Sequence, residues 1–357
     1  MKKQTQVLAL FSILVIAAAA RAQTKHAPAM DEILQLKVAS GPRISPDGHY
    51  IAYSVRETDW KENAYIRQIW LLDVGSGASV QLTRGKKSSE NAEWSPDGRW
   101  LAFVTEREAN SIAKEGASTA PAKGEKKESG PADGKPAARQ IWLISPRGGE
   151  AWQLTEHTTD VGGFHWSKDG KQIAFTAAEE QSKANKDRKQ KYSDYEVFEH
   201  DFTQEQIWAV DVTAAERNFE PVKARAITSD SSLNVRDFSW SPDSSRIAFS
   251  AAHNPLLSSA GDSDIYLADL AHGNEVHKIV ALEGPDSDPI FSPDGTQIAF
   301  STSLAQQYFY YANSHIAVVK VEAVLTKPAA TAADVQDLTG EFDEDPRMVN
   351  WGPDGIY

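Results

Sequence analysis

The chain has 357 residues, 41% hydrophobic and 24% charged, enough for one large or two ordinary globular domains and unlike a disordered chain. Its formal net charge of -13, with no basic patch to offset it, argues against nucleic acid, whose phosphates need a cationic surface. Cysteine is absent, which excludes disulfides, thiol catalysis and a lipid-modified cysteine, so stability must come from packing.

The first residues read as an export signal. Lys2 and Lys3 give a positive start, residues 7–20 an apolar run, and Ala20-Arg21-Ala22 a small-residue cleavage site. Residues 1–22 are therefore expected to be a signal peptide, with the mature chain beginning near Gln23. The run falls short of the roughly 20 residues that span a bilayer, so the expected location is periplasmic or extracellular, with no membrane contact after cleavage. Residues 23–43 form a lead-in segment. Met30, Ile33, Leu34, Leu36 and Val38 suffice there for a short helix or an edge strand and are too few for a domain.

From residue 44 to residue 357 the sequence repeats one hairpin. Ile44-Ser-Pro-Asp-Gly-His-Tyr-Ile-Ala-Tyr53 returns as Trp94-Ser-Pro-Asp-Gly-Arg-Trp-Leu-Ala-Phe103, Trp166-Ser-Lys-Asp-Gly-Lys-Gln-Ile-Ala-Phe175, Trp240-Ser-Pro-Asp-Ser-Ser-Arg-Ile-Ala-Phe249 and Phe291-Ser-Pro-Asp-Gly-Thr-Gln-Ile-Ala-Phe300. A sixth copy is cut short, as Trp351-Gly-Pro-Asp-Gly-Ile-Tyr357. Proline presets φ for a type I turn, the serine and aspartate oxygens accept backbone N–H groups, and glycine takes the left-handed position that closes the hairpin. Lys168 replaces the proline once, which the turn tolerates. Ser244 replaces the glycine once, with some strain.

A third strand follows at Arg67-Gln-Ile-Trp-Leu-Leu-Asp73, Arg139-Gln-Ile-Trp-Leu-Ile-Ser145, Glu205-Gln-Ile-Trp-Ala-Val-Asp211, Ser263-Asp-Ile-Tyr-Leu-Ala-Asp269 and Ser314-His-Ile-Ala-Val-Val-Lys320. A fourth is read at Val80-Gln-Leu-Thr83, Trp152-Gln-Leu-Thr155, Arg225-Ala-Ile-Thr228, a weaker Lys278-Ile-Val280, and Gln336-Asp-Leu-Thr339. Four strands per repeat are the blade of a β-propeller. The expected fold is all-β: a β-propeller of four-stranded antiparallel blades over residues 44–357, five blades plus the start of a sixth. The ring is expected to be incomplete, because the last copy stops inside its second strand and leaves an unpaired edge.

The extra residues of the longer repeats fall largely between the second and third strands, so one end of the blades is expected to be decorated and the other short. Residues 106–138, almost without large apolar side chains, are expected to be a mobile low-complexity insert. Residues 178–205 begin charged and turn aromatic, with Tyr192, Tyr195, Phe198 and Phe202 among Glu196, Glu199 and Asp201. These aromatics are expected to pack back on the third blade; a contact surface for another domain is the alternative.

No catalytic, cofactor or metal site is read from these residues. There is no G-x-S-x-G elbow, no H-E-x-x-H and no phosphate-cradling loop. His272 and His277 stand at no ligand spacing and are read as exposed loop residues. Asp47, Asp97, Asp169, Asp243, Asp294 and Asp354 serve their turns and lack the second carboxylate of a calcium loop. Trp94, Trp166, Trp240 and Trp351, with Phe291, recur at one place and are assigned to packing between blades rather than to a ligand channel. The run Glu341-Phe-Asp-Glu-Asp345 is the best electrostatic candidate, able to attract a peptide amine, or else a solvated loop.

Met30-Asp-Glu-Ile-Leu-Gln-Leu-Lys leading into Gly41-Pro-Arg-Ile-Ser-Pro-Asp-Gly, then Thr58-Asp-Trp, Gln68-Ile-Trp-Leu, Gln81-Leu-Thr-Arg-Gly85, Trp94-Ser-Pro-Asp-Gly and Gly148-Gly-Glu-Ala-Trp-Gln-Leu-Thr155 resemble the N-terminal propeller of the prolyl oligopeptidase family of serine peptidases. The similarity is to its secreted acylaminoacyl-peptidase and dipeptidyl-peptidase-like branch. That resemblance implies a two-domain enzyme in which the propeller gates short peptides. A C-terminal α/β-hydrolase domain would carry serine, aspartate and histidine. None of those positions lies in this sequence, so no catalytic residue is carried over and the chain alone is expected to be inactive. The implied partners are that hydrolase domain and peptide substrates. The alternative is a TolB-like periplasmic protein-binding propeller without enzymatic activity. That fold places an α/β domain before its blades, for which residues 23–43 are too few.

Overall fold

The computed structural model describes residues 27–107, 137–193, 197, 199–306, 308–326 and 329–357. The expected signal peptide, most of the 106–138 insert, and Tyr195, Glu196 and Phe198 lie outside the described residues. Among the described residues no helix is long and apolar enough to cross a membrane.

The chain divides into two units, Met1–Val38 with Glu57–Tyr65, and Ala39–Arg56 with Ile66–Tyr357. In the first, helix α1 (Met30–Leu34) carries Asp31 and Glu32 in its first turn, and the Glu32 carboxylate accepts the Ala29 N–H at 2.9 Å. The Thr58 hydroxyl donates to the Leu34 carbonyl, and Lys37 pairs with Glu57 at 2.7 Å. Met30, Ile33 and Leu36 remain exposed.

The second unit is built from the hairpin. Five four-stranded antiparallel sheets follow one another, then a two-stranded one. They are β1 (Val38–Ile44) to β4 (Ser79–Gln81) by way of β2 (Tyr50–Asp59) and β3 (Ala64–Asp73); β5 (Ser89–Trp94), β6 (Leu101–Thr105), β7 (Gln140–Ile144) and β8 (Trp152–Gln153); and β9 (Val161–Trp166), β10 (Gln172–Ala178), β11 (Glu205–Asp211) and β12 (Arg225–Ala226). Then come β13 (Asn234–Trp240), β14 (Arg246–Ala252), β15 (Asp264–Asp269) and β16 (Glu275–Val280); β17 (Asp286–Phe291), β18 (Gln297–Thr302), β19 (His315–Lys320) and β20 (Gln336–Asp337); and finally β21 (Trp351–Gly352) with β22 (Gly355–Ile356).

Each turn works as its spelling requires. In the first five copies the serine hydroxyl donates to the aspartate at 2.5–2.7 Å. The serine N–H closes the hairpin onto the carbonyl five residues on at 2.8–2.9 Å. Ser244 sits at φ 60, beside 68 and 71 for Gly98 and Gly170. The sixth copy has Gly352 in place of the serine and makes a tighter hairpin, Gly352 facing Gly355.

A second device ties strand three to strand four. Thr83, Thr155 and Thr228 donate to the side-chain oxygens of Gln68, Gln140 and Gln206 at 2.6–2.8 Å. The same threonine hydroxyls accept the N–H of Ile69, Ile141 and Ile207 at 2.8–2.9 Å. These buried polar groups are therefore satisfied.

Successive sheets pack face to face, each core drawing one face from each neighbour. Along β10, Ile173 and Phe175 join the core shared with the second sheet, while Ala174 joins the one shared with the fourth. The two-residue period of a strand produces this division. Phe103, Phe175, Phe249 and Phe300, the last residues of the second to fifth decapeptides, are fully buried, each stabilising by about 1.5–3 kcal/mol.

The tryptophan ahead of the second, third and fourth turns also reaches the sheet before it. Trp94 donates its indole N–H to the Arg43 carbonyl at 2.9 Å, Trp166 to Glu93 at 3.4 Å, and Trp240 to His165 at 3.1 Å. These side chains pack between sheets, as their recurrence indicates.

Three expectations are corrected. The fourth strand of the fourth sheet, read as weak, is β16, six residues long. His277 lies on that strand, not in a loop. The hairpin end is not uniformly short: α3 (Val212–Glu216) follows β11 and α4 (Val321–Leu325) follows β19. Val212 and Ala215 enter the core with the second sheet, and Val321 and Val324 the core with the fourth. Parallel bridges Thr155 to Val222 and Val280 to Ala330 complete both contacts. An i, i+3 apolar pair after the third strand, with a longer gap to the fourth, is the sequence signal for both clamps.

Candidate functional site

In the fourth and fifth sheets the connection between second and third strands leaves at the end opposite the hairpin turns. At that end of the fifth sheet lies a cavity of about 500 Å³ lined by Asp288, Ser301, Ser314, Asp345, Arg347 and Met348 among others. Asp288 comes from β17, Ser301 from β18, Ser314 precedes β19, and the remainder lies on the link to the sixth sheet.

Asp288 is set by an irregularity in the strand. The register of β17 shifts between Ser287 and Ile290, and Asp288 takes φ 53, a left-handed conformation unusual for a residue other than glycine. Its N–H donates to the Asp237 carboxylate of β13 at 3.1 Å. Burial pushes Asp237 up to about 6, and the Asp288 charge adds to the rise. The Ser250 hydroxyl, 2.7 Å away, and the Asp288 N–H oppose it.

Asp345 accepts the Ser314 N–H at 2.8 Å and its hydroxyl at 3.0 Å. These bonds hold its carboxyl below the usual carboxylate range. The position is a repeated structural one. Ser88, Asp160 and Asn234 accept the N–H of Arg67, Arg139 and Glu205 in the same way at 2.7–3.1 Å. All four acids of the run are exposed, and of them Asp345 clasps the fifth sheet.

The cavity thus presents carboxylates, hydroxyls and one guanidinium, suited to a polar ligand carrying both signs of charge. The Ser314 hydroxyl is held by a carboxylate rather than an imidazole, so it is not an activated nucleophile. Among the described residues no three His, Cys, Asp or Glu side chains are placed to hold a metal ion.

In the insert after β10, α2 (Lys183–Tyr192) is capped by Ser182, which accepts the Asn185 N–H at 3.2 Å. Asp201 fastens the segment, accepting from Arg188 and, at 2.6 Å, from the Val197 N–H. Tyr192 is exposed and Phe202 half-buried.

Repeated sheets stacked in chain order, with a polar cavity at the connection end, define a β-propeller of five four-stranded blades and the start of a sixth. Residues 45–110 match the dipeptidyl peptidase IV N-terminal region. The chain is 26% identical over 276 residues to the uncharacterized peptidase YuxL of Bacillus subtilis, covering 77% of this chain and 31% of that protein. It is 25% identical over 353 residues to dipeptidyl-peptidase 5 of Porphyromonas gingivalis, covering 91% of this chain and 45% of that one. In structure it is similar to Pyrococcus horikoshii acylaminoacyl peptidase, with a TM-score of 0.59 at 15% identity, over 91% of this chain and 43% of that one. These matches bear out the resemblance to the N-terminal propeller of prolyl oligopeptidase-family peptidases. The chain spans less than half the length of each of these three.

Proposed function

We propose that this chain is the non-catalytic, substrate-gating propeller of an exported serine peptidase that cleaves short peptides, with an α/β-hydrolase domain C-terminal to it supplying the catalytic serine, aspartate and histidine. The observation that carries the reading is the extent of the sequence match: peptidases are aligned over most of this chain and over less than half of themselves. The cavity supports it. Its carboxylates suit a peptide's amino end, and Arg347 suits carbonyl or carboxylate oxygens.

The test is binding and turnover on the purified chain. A short free-amine peptide is expected to bind without being hydrolysed, and R347Q or D288N to weaken it about three- to tenfold. Hydrolysis by the chain alone, blocked by a serine-directed inhibitor, would refute the assignment.

A further inference from the structure

One seam between sheets lacks the fastening that the others share. In the others, the residue six places before the fixed aromatic accepts the N–H of the residue two places before the third-strand isoleucine of the preceding sheet. Ser88 accepts from Arg67, Asp160 from Arg139, Asn234 from Glu205 and Asp345 from Ser314, at 2.7–3.1 Å. Between the fourth and fifth sheets that place is held by Pro285, which has no side-chain oxygen, and the residue left facing it is Ser263. The backbone keeps the shared register, since Asp286 donates its N–H to the Ser263 carbonyl at 2.8 Å as Val161 does to that of Arg139 at 3.0 Å.

Two polar side chains are enclosed at this seam with oxygens left unbonded. Ser263 and Asp286 are both fully buried, and neither Ser263 Oγ nor Asp286 Oδ1 has a hydrogen-bond partner among the described residues. They point into the same space. Ser263 lies two and four residues before Ile265 and Leu267, which enter the core between the fourth and fifth sheets, and the two-residue period of a strand puts its side chain on that face. Asp286 holds the place of Val161, whose side chain enters the core against the preceding sheet. Its other oxygen, Oδ2, accepts the Leu282 N–H at 3.0 Å, and the Thr302 hydroxyl also favours the charged form. Ser263 and Asp286 are thus joined through one backbone bond, while Oγ and Oδ1 do not bond each other.

Leaving a buried polar group unbonded costs more than its bond would gain, so such groups are satisfied by protein or by an enclosed water. We propose that a single water molecule binds in the seam between the fourth and fifth sheets and takes the place of the missing side-chain oxygen, accepting the Ser263 N–H and hydroxyl and donating to Asp286 Oδ1. About three hydrogen bonds are the usual complement of a buried water. Water fits these partners better than a cation does, because the Ser263 N–H can only donate. Asp288, two residues beyond Asp286 on β17, lines the cavity, so the water fastens the strand that carries one of its walls. The inference goes beyond the gating reading and stands without it, since it concerns the packing of this chain alone.

The water can be observed directly. In the deuterated, amide-protonated chain, a water-to-amide nuclear Overhauser cross-peak with the sign of a long-lived contact is expected at Ser263. P285N, which copies Asn234, is expected to abolish it as the side-chain oxygen takes over the bond. S263A gives a second measurement that does not depend on P285N folding. Truncating a satisfied hydroxyl should lower the folding equilibrium constant about threefold to tenfold, whereas truncating one with no partner would leave it unchanged or raise it. A missing cross-peak at Ser263, one that persists in folded P285N, or an S263A chain as stable as the parent would each overturn the proposal. So would an unfolding midpoint that rises with sodium or ammonium at constant ionic strength, which would assign the site to a cation.

Discussion

The backbone N–H of Asp169 donates to the Ser244 hydroxyl at 3.1 Å, joining the third hairpin turn to the fourth. Elsewhere a proline of one turn faces a glycine of the next: a Cβ on Gly98 would lie 3.7 Å from Pro46, and on Gly170 and Gly295 3.4 Å from Pro96 and Pro242. Lys168 and Ser244 are the two departures from the repeat, and they fall in facing turns. Where the proline is missing, the next turn carries a side chain instead of glycine.

These two positions should therefore be coupled. K168P alone is expected to destabilise, because its ring would crowd Ser244 and its new hydrogen bond. In an S244G background the same change should be neutral or stabilise by about 0.5–1 kcal/mol. Urea unfolding of the four proteins gives the interaction energy. Strictly additive effects would contradict the coupling.

Trp240 is expected to contribute through both its area and its indole N–H. W240F, which copies the residue at 291, should cost about 1–2 kcal/mol for the lost bond to His165. W240A should cost about 3–5 kcal/mol. A W240F protein as stable as the parent would mean that the hydrogen bond contributes nothing, and equal losses in the two variants that the buried area contributes nothing.

Asp286 is fully buried, and burial pushes it up to about 6 from 3.8. The Thr302 hydroxyl and the Leu282 N–H only partly offset this. A carboxyl whose folded value is raised binds its proton more tightly in the folded chain, so its contribution is fully present below about pH 4 and is lost as the pH rises through about 6. For this group the loss is about 3 kcal/mol. D286N should be more stable than the parent at pH 7 and nearly equal to it at pH 4, measured by urea unfolding. A parent that gains more stability than D286N between pH 4 and pH 7 would contradict this.

The clamp at the hairpin end is testable at Phe219. Its ring meets Trp152 at 5.4 Å and Trp100 at 6.4 Å, both edge-on, and Glu216 accepts from the Trp100 indole. F219A is expected to cost about 1–2 kcal/mol and to speed hydrogen exchange in the second sheet as well as the third. Faster exchange confined to the third sheet would show that the helix does not join them.

The hairpins are legible in the sequence because each is a local object. Ser45, Asp47 and Gly48 settle their own geometry within four residues, and the fixed aromatic marks the face that packs. The Gln68 to Thr83 bond is nearly as local, and its recurrence at Gln140 and Gln206 places strands three and four. What the sequence does not display is juxtaposition across sheets. Asp237 and Asp288 are 51 residues apart and meet only because the fourth and fifth sheets stack. Asp345 reads as one of four acids in a run until the fold sets it against Ser314. The strand β16 reads as weak because Val280 follows Ile279 where a threonine follows Leu82, Leu154, Ile227 and Leu338.

The central claim is that this propeller serves a catalytic domain encoded after it, and reading the coding sequence beyond codon 357 tests it most directly. The account predicts an open frame that completes the sixth blade, continues through the ring and reaches a G-x-S-x-G on a strand–turn–helix, followed in order by aspartate and histidine. A stop codon soon after the ring closes would contradict it and leave a binding propeller with no chemistry of its own.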